Sequence, residues 1–242
     1  MSSMQSNLPD SQWGHFHKST PARIDEVRAG SPVAYLPWGA LEWHSYHNPV
    51  GLDGLVAVGL CEALATRCGG LVLPPIYAAS STIKNLFPFP HNFEYSTDLL
   101  TALCRETLEQ CREAGFSMLV LLSVHWGEPH LQTLKKVAEE VSGNGFEVWA
   151  LTEVECLNGE MPANHAARGE TSLQLALQSE LVQLDRLPQD RVTTLEKDGV
   201  WGEDPRRATA QEGNRIISAF VENAAPLLQA RISAMQQQRS QS

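Results

Sequence analysis

Residues 116–124 read Phe-Ser-Met-Leu-Val-Leu-Leu-Ser-Val and are followed directly by His125. This run is almost continuously apolar, which is typical of a strand that is buried on both faces of a parallel sheet. Parallel strands need long crossover connections, and these are usually helices. The segments on either side of this run therefore decide whether the chain can build such a sheet.

Predicted strands and helices alternate along the chain, which favours an α/β fold with a parallel sheet covered by helices. The predicted strands are 32–37, 71–76, 116–124 and 146–151. The predicted helices are 53–66, 98–114, 131–141, a helix that begins at 170, and 212–233. We expect a flexible N-terminal arm over 1–20, a single domain over 21–235 and a frayed tail over 236–242.

The composition excludes several classes of function. The 242 residues carry a formal net charge of −10, and no run of five or six basic residues occurs, which argues against nucleic-acid binding. The sequence shows no signal-peptide pattern and no apolar stretch of about 20 residues, so we expect no membrane association. The five cysteines lack metal-site spacing and are expected to be reduced thiols, so the sequence predicts a cytoplasmic protein.

Four side chains that can bind metals lie within residues 39–53, namely Glu42, His44, His47 and Asp53. Residues two apart in an extended segment project to the same side, so Glu42 and His44 can face one point. Mixed imidazole and carboxylate ligation is typical of a catalytic divalent metal. The alternatives are a solvated polar loop for Glu42 and His44, and a helix N-cap for Asp53.

The predicted layout brings further candidates to the same edge of the sheet. Glu42 and His44 follow the first strand, His125 follows the central strand, and the 165–170 segment follows a later one. Sites in open parallel sheets form outside the carboxyl ends of the strands. Alternatives remain: His125 could be a core histidine, His165 an ordinary loop residue, and Glu170 a first-turn residue favoured by the helix dipole.

With these residues in view, the chain resembles the creatininase (creatinine amidohydrolase) family. The resemblance rests on LPWGALEWH at 36–44 with Asp53, the strand that ends at His125, NHAARGETS at 164–172, GVWGEDP at 199–205, and ATA at 208–210 with Gly213. It implies a three-layer α/β/α sandwich with a mostly parallel central sheet. It also implies a small-molecule substrate and a homo-oligomer, commonly a hexamer.

The resemblance further implies two divalent metal ions per subunit, zinc, manganese or iron. The residues that match the ligand positions of the family are Glu42, His44, Asp53, His125 and Glu170. Asp53 is placed to bridge the two ions, and His165 matches the histidine that hands a proton to the leaving nitrogen. In this chemistry, metal-bound hydroxide attacks the carbonyl carbon of the substrate.

The chain departs from the family pattern around the pocket. Ser45 and Tyr46 replace a usual Gly and Pro, and Glu128 occupies an Asn position, where it is a second candidate for the catalytic acid. Three further side chains could wall the substrate pocket: Trp126, His91 and Trp201. Each of them has an alternative role in the core, at the surface or at a subunit interface.

The first functional hypothesis is therefore a metal-dependent hydrolase that cleaves the C–N bond of a small cyclic amide or a related compound. A second hypothesis is the hydrolysis or ring opening of a non-amide polar carbonyl compound, such as an oxidised sugar or cyclitol. The altered residues Ser45, Tyr46, Trp126 and Glu128 motivate it, because a more polar pocket would suit a hydroxyl-rich substrate. A third hypothesis is a metal-stabilised assembly protein without turnover.

Overall fold

A computed structural model describes residues 12–161 and 164–241 of the chain. Its central sheet contains six strands: β1 Trp13–His15, β2 Val33–Gly39, β3 Gly70–Val72, β4 Ile76–Tyr77, β5 Met118–Ser123 and β6 Glu147–Thr152. The strand order is β1-β3-β2-β5-β6, with β4 also paired to β2, and the pairs run parallel. The parallel sheet predicted from the sequence is confirmed.

The strand β2 lies in the middle of the sheet and is buried along its whole length, as is β5. Their register pairs Val33 with Met118 and Trp38 with Ser123. Because side chains alternate across a strand, Tyr35 packs into one core cluster while Leu36 packs into the other. Both faces of the sheet are therefore covered by the protein.

Seven helices surround the sheet in the described parts of the chain: α1 Pro21–Gly30, α2 Leu52–Cys68, α3 Thr97–Glu113, α4 His130–Val141, α5 Arg168–Gln178, α6 Leu195–Asp198 and α7 Ala210–Gln241. The helices α2, α5 and α7 pack together on one face, with Leu60, Leu173 and Phe220 in the core. The helices α3 and α4 cover the other face with Leu108 and Leu134. This is the predicted three-layer α/β/α arrangement.

The predicted strand 71–76 is two short strands. Its first part, β3, pairs with the beginning of β2, and its second part, β4, pairs with the end of β2. Between them stand Pro74 and Pro75, which have no backbone N–H to donate to a neighbouring strand. The interruption at this point follows from the two prolines.

Both ends of the described chain contain regular secondary structure. The predicted flexible arm 1–20 contains β1, which pairs with β3, and His15 Nε2 lies 2.7 Å from Glu62 Oε1. Residues 1–11 of that arm lie outside the described residues. At the other end, α7 continues to Gln241, through a tail that we predicted to be frayed. No helix among the described residues combines the length and apolar character needed to cross a membrane.

Candidate metal centre

The candidate residues meet at the carboxyl end of the sheet. Glu42 and His44 lie in the loop that follows β2, and Asp53 lies in the first turn of α2. His125 lies in the segment that follows β5. All four side chains are at most 5% exposed. These residues therefore lie where sites in parallel sheets are expected, at the carboxyl ends of the strands.

Asp53 stands between two imidazoles. Its Oδ1 lies 2.9 Å from His44 Nε2, and its Oδ2 lies 3.4 Å from His125 Nδ1. The N-cap of α2 is Gly51, so Asp53 does not cap the helix, which was the alternative interpretation. One backbone group supports the carboxylate, since Ala40 N donates to Oδ2 at 3.3 Å. The two oxygens of Asp53 are thus available to two separate partners.

Three histidines are oriented by backbone carbonyls. His44 Nδ1 lies 3.1 Å from Glu42 O, His125 Nε2 lies 3.0 Å from Ser80 O, and His165 Nε2 lies 2.8 Å from Trp43 O. A carbonyl only accepts, so these nitrogens carry the hydrogen and the opposite ring nitrogen of each neutral histidine presents a lone pair. Donation to a carbonyl is how metal-ligating histidines are commonly held.

The lone-pair nitrogens point at carboxylates instead of hydrogen-bond donors. His125 Nδ1 is 2.8 Å from Glu42 Oε1, an approach that needs either a second proton or a metal cation. His44 Nε2 is buried and has no hydrogen-bond partner among the residues that the structure describes. It nevertheless lies 2.9 Å from Asp53 Oδ1 and 3.8 Å from Glu170 Oε2. These atoms fit a divalent cation held between them.

The electrostatics of the cluster favour positive charge. Burial would lower the pKa of His44, but the carboxylates of Asp53, Glu170 and Glu42 together outweigh this effect and raise it to about 10. Burial raises the pKa of Glu170 to about 8, against the lowering effect of His44. Burial would also raise the pKa of Asp53, yet His44 and His125 together hold it below its usual range. Buried carboxylates of this kind are paired or coordinate metals, so the cluster attracts a proton or a metal cation.

A short turn before α5 brings Glu170 to the same place. Ala166 N donates to Glu170 Oε2 at 2.6 Å, and Glu170 N donates to Asn164 Oδ1 at 3.3 Å. The neighbouring His165 pairs with Trp201 through backbone hydrogen bonds, and its ring stacks on His44 with 4.5 Å between centroids. Glu170 lies in the first turn of α5, as the alternative interpretation also has it, but its carboxylate is buried beside His44. His165 is partly buried, and its contacts with His44 and Trp43 differ from those of an ordinary loop histidine.

A cavity of about 380 Å³ opens above the cluster. Its polar wall includes Glu42, Asp53, His125, His165 and Glu170. The remaining wall contains Ser81, Gly127 and Asn164 and is otherwise apolar, with Ile83, Leu86, Val124, Trp126, Leu195 and Trp201. Within the described parts of the chain, no Lys or Arg lines this cavity. The candidate metal residues therefore form the floor of a pocket large enough for a small molecule.

Comparison with known proteins identifies the group to which this fold and site belong. The sequence profile described as "Creatininase: Creatinine amidohydrolase" matches residues 17–228. The chain belongs to the creatininase family. The predicted family is thereby confirmed, and a member of this family with such relatives is a hydrolase, which removes the hypothesis of an assembly protein without turnover.

Two proteins similar to this chain differ in their printed activities. A creatinine amidohydrolase of Pseudomonas putida is 28% identical over 207 residues, covering 76% of this chain and 79% of the relative. A mycofactocin precursor peptide peptidase of Mycobacterium ulcerans (strain Agy99) is 29% identical over 220 residues, covering 79% of this chain and 82% of the relative. Membership of the family therefore does not by itself fix the substrate.

Solved creatininase structures share the fold. A crystal structure of creatinine amidohydrolase superposes with a TM-score of 0.76 at 21% identity, over 92% of this chain and 98% of that chain. A zinc form of creatininase (TM-score 0.73, 23% identity, 92% and 99% covered) and a manganese form (0.72, 24%, 91% and 98%) are also similar. At these identities the likeness establishes the three-layer fold.

Some predicted pocket residues of this creatininase-family chain lie elsewhere. Glu128 and His91 are exposed, and neither lines the cavity, so we do not carry their predicted catalytic and substrate-binding roles forward. Ser45 is buried and Tyr46 is half exposed, and neither lines the cavity. Trp126 and Trp201 do line it, as predicted. Of the four altered residues that suggested a more polar pocket, only Trp126 lines the cavity.

Two buried groups beside the site escaped the sequence analysis. Glu153 is 0% exposed and accepts a 3.1 Å hydrogen bond from Trp126 Nε1. It directly follows β6, so the rule that found His125 after β5 could have found it. His130 begins α4 and is also 0% exposed, with its ring 5.0 Å from that of His125. Burial lowers the pKa of His130 to about 3, so it is neutral near pH 7.

Glu153 predicts a pH-dependent stability. Burial raises the pKa of its carboxyl well above the usual range, so the folded chain keeps this proton after the unfolded chain has lost it. The free energy of unfolding of the wild type should therefore fall, relative to Glu153→Gln, as the pH rises above about 4.3. The gap should grow by up to about 1.4 kcal/mol per pH unit.

Urea unfolding of both proteins between about pH 5 and pH 7 measures this gap, since other titrating groups cancel in the comparison. Glu139→Gln, at an exposed position of α4, is the matched control for replacing a glutamate with glutamine. A gap that stays constant with pH for Glu153→Gln would show that Glu153 is ionised in the folded chain.

Proposed function

We propose that this chain is a metal-dependent amidohydrolase that cleaves a C–N bond of a small amide at a dinuclear centre. The observation that carries the proposal is the position of Asp53, whose two oxygens face the lone-pair nitrogens of His44 and His125 separately. A carboxylate in this position can bridge two ions. The hydrolase class of the family and the apolar cavity above the site support the same reaction.

We assign one ion to Glu42, Asp53 and His125, whose ligand atoms lie within 4.8 Å of one another. We assign the second ion to His44, Asp53 and Glu170. His165 also approaches Glu42 and His44, but we assign it to proton transfer. Two divalent ions bound here would supply an activated water and polarise the carbonyl oxygen of the substrate. We propose zinc, manganese or iron, since solved creatininases include zinc and manganese forms.

Side chains of the protein would transfer the proton and hold the substrate. His165 donates from Nε2 to Trp43 O, so its Nδ1 is free to exchange a proton at the side of the cavity floor, 4.0 Å from Glu42 Oε1. A histidine in this position can protonate a departing nitrogen. Trp126 and Trp201 wall the cavity and would hold the substrate over the site while limiting the access of water.

An amide fits the cavity better than a hydroxyl-rich substrate does. Leu86, Leu195, Ile83 and the two tryptophans offer few hydrogen-bonding partners for several hydroxyl groups. The indole N–H of Trp126 is already donated to the buried Glu153. Both relatives named above act, by their printed names, on a creatinine amide or on a peptide. A homo-oligomer, with the hexamer as the expected form, stays a prediction.

A substrate panel on reconstituted protein tests this proposal. The protein is stripped of metal with a chelator and reloaded with zinc, manganese or iron, and the stripped protein is the control. The panel contains creatinine, other cyclic amides, short peptides and a sugar lactone. We expect at least one amide to be hydrolysed and its turnover to require metal. Metal-dependent turnover of the lactone alone would contradict amide hydrolysis and restore the hypothesis of an oxidised sugar or cyclitol.

A further inference from the structure

One backbone segment contacts two of the assigned ligands of the same ion. Ser80 O accepts the hydrogen of His125 Nε2 at 3.0 Å. Three residues later, Ile83 N donates to Glu42 Oε2 at 2.7 Å. Both contacts use main-chain atoms, so their geometry depends on the path of the backbone over residues 80–83. This path therefore determines how His125 and Glu42 are presented to the site.

A single carboxylate fixes that path. Glu94 Oε1 accepts from Ser81 N at 2.5 Å and from Asn85 Nδ2 at 3.1 Å. Glu94 Oε2 accepts from Thr82 N at 2.9 Å and from Thr82 Oγ1 at 2.5 Å. The backbone beside Glu94 is itself paired with Ala79. Both oxygens of one side chain thus bind donors within or next to the segment 80–83.

The segment would not hold this shape unaided. Ser81 has a φ of +62°, a left-handed conformation that is unfavourable for a residue with a side chain. Such conformations persist where surrounding contacts determine them. The hydrogen bonds that Glu94 accepts from the amides of Ser81 and Thr82 are contacts of that kind. Hydrogen bonds to a carboxylate are stronger than those between neutral groups, so they can hold Ser81 in this conformation.

We propose that Glu94 is a positioning residue for the metal ion held by Glu42, Asp53 and His125. The inference rests on the proposed dinuclear centre. Glu94 acts through the segment 80–83, which orients the imidazole of His125 through Ser80 and one oxygen of Glu42 through Ile83. The second ion depends on His44 and Glu170, and the hydrogen bonds described above for this segment go to other residues. Loss of Glu94 should therefore weaken the binding of the ion held by Glu42, Asp53 and His125 and leave the binding of the other ion unchanged.

The variant Glu94→Gln tests the assignment with little change of shape. Its amide nitrogen would face a backbone N–H where the carboxylate now presents an acceptor, so at least one of the contacts is lost. Partners that hydrogen-bond a metal ligand directly typically contribute 10–100-fold to metal affinity, and Glu94 acts one contact further out, through the segment 80–83. We therefore expect the affinity for one of the two ions to fall by up to about 10-fold, with the other ion unaffected.

The measurement is the release of metal from the loaded full-length chain during titration with a chelator, followed with a metal-sensitive dye. His125→Ala and His44→Ala identify which step belongs to which ion. Glu155→Gln is the matched control, because Glu155 also accepts from a backbone amide and a threonine hydroxyl, both of Thr152, at 2.9 and 3.1 Å. Glu155 belongs to a turn after β6 that holds none of the assigned ligands.

The expected result is a shift in Glu94→Gln of the step that His125→Ala removes, with Glu155→Gln unchanged. Thr82→Val, which removes only the hydroxyl contact, should shift the same step less, and it serves as the test if Glu94→Gln does not fold. Two ions released from Glu94→Gln as from the wild type, or both steps shifted equally, would overturn this inference and leave the dinuclear centre intact. A wild type that binds no metal would instead overturn the proposed function.

Discussion

The variant Asp53→Asn is expected to lose both metal ions and nearly all hydrolytic activity. In the wild type, the two carboxylate oxygens of Asp53 lie 2.9 and 3.4 Å from His44 and His125. Replacing this one carboxylate with an amide therefore removes a charged ligand from both proposed ions. Affinity for each ion should fall by more than about 100-fold, because partners outside the ligand shell already contribute 10–100-fold. Losing several kcal/mol of transition-state stabilisation corresponds to at least about 1,000-fold in rate.

Elemental analysis and turnover of the amide identified by the panel measure this effect. Asp98→Asn is the matched control, since Asp98 occupies the first turn of α3 as Asp53 does that of α2, and Asp98 is exposed. The control shows what the same change does at the second position of a helix where no metal is assigned. Retention of one full equivalent of metal by Asp53→Asn would show that Asp53 serves a single ion.

The variant His165→Gln is expected to keep its metal and lose turnover. In the wild type, His165 lines the cavity, and its Nε2 is held by Trp43 O at 2.8 Å. Only Nδ1 is then left for proton transfer. General acid catalysis of this kind contributes about 10²–10⁴-fold, so kcat should fall by that factor. The metal content should not change, because each ion keeps its three assigned ligands.

Steady-state kinetics with parallel elemental analysis separates this role from ligation. His91→Gln is the control for the same chemical change at an exposed histidine outside the cavity, and it should match the wild type. If His165→Gln lost one equivalent of metal, His165 would be a ligand, as its place in the group with Glu42 and His44 allows.

Much of the fold could be predicted because its signals are local. The apolar run around β5 and the alternation of strands with helices indicate a parallel sheet without any knowledge of tertiary contacts. The pairing of β1 with β3 could not be predicted, because three residues carry no periodic pattern and their pairing depends on a partner more than 50 positions away. The division of β3 from β4 was signalled by Pro74 and Pro75, which we had placed inside one strand.

The assembly of the candidate centre could be predicted from strand order, whereas its support could not. Glu42 and His125 are brought together because each follows a strand of the same parallel sheet. Glu94 lies in a long polar and aromatic loop without a motif, and its role depends on hydrogen bonds to Ser81 and Thr82 that only the folded chain shows. Glu128 shows the opposite case, since it lies close to His125 in sequence but does not line the cavity.

The central claim is that two metal ions share Asp53. Elemental analysis of the wild-type chain, purified without added metal and after reconstitution with zinc or manganese, tests it most directly. The proposed centre predicts about two equivalents per chain. A single equivalent that does not rise on reconstitution would contradict the bridging role of Asp53, and no bound metal under either condition would contradict metal-dependent hydrolysis altogether.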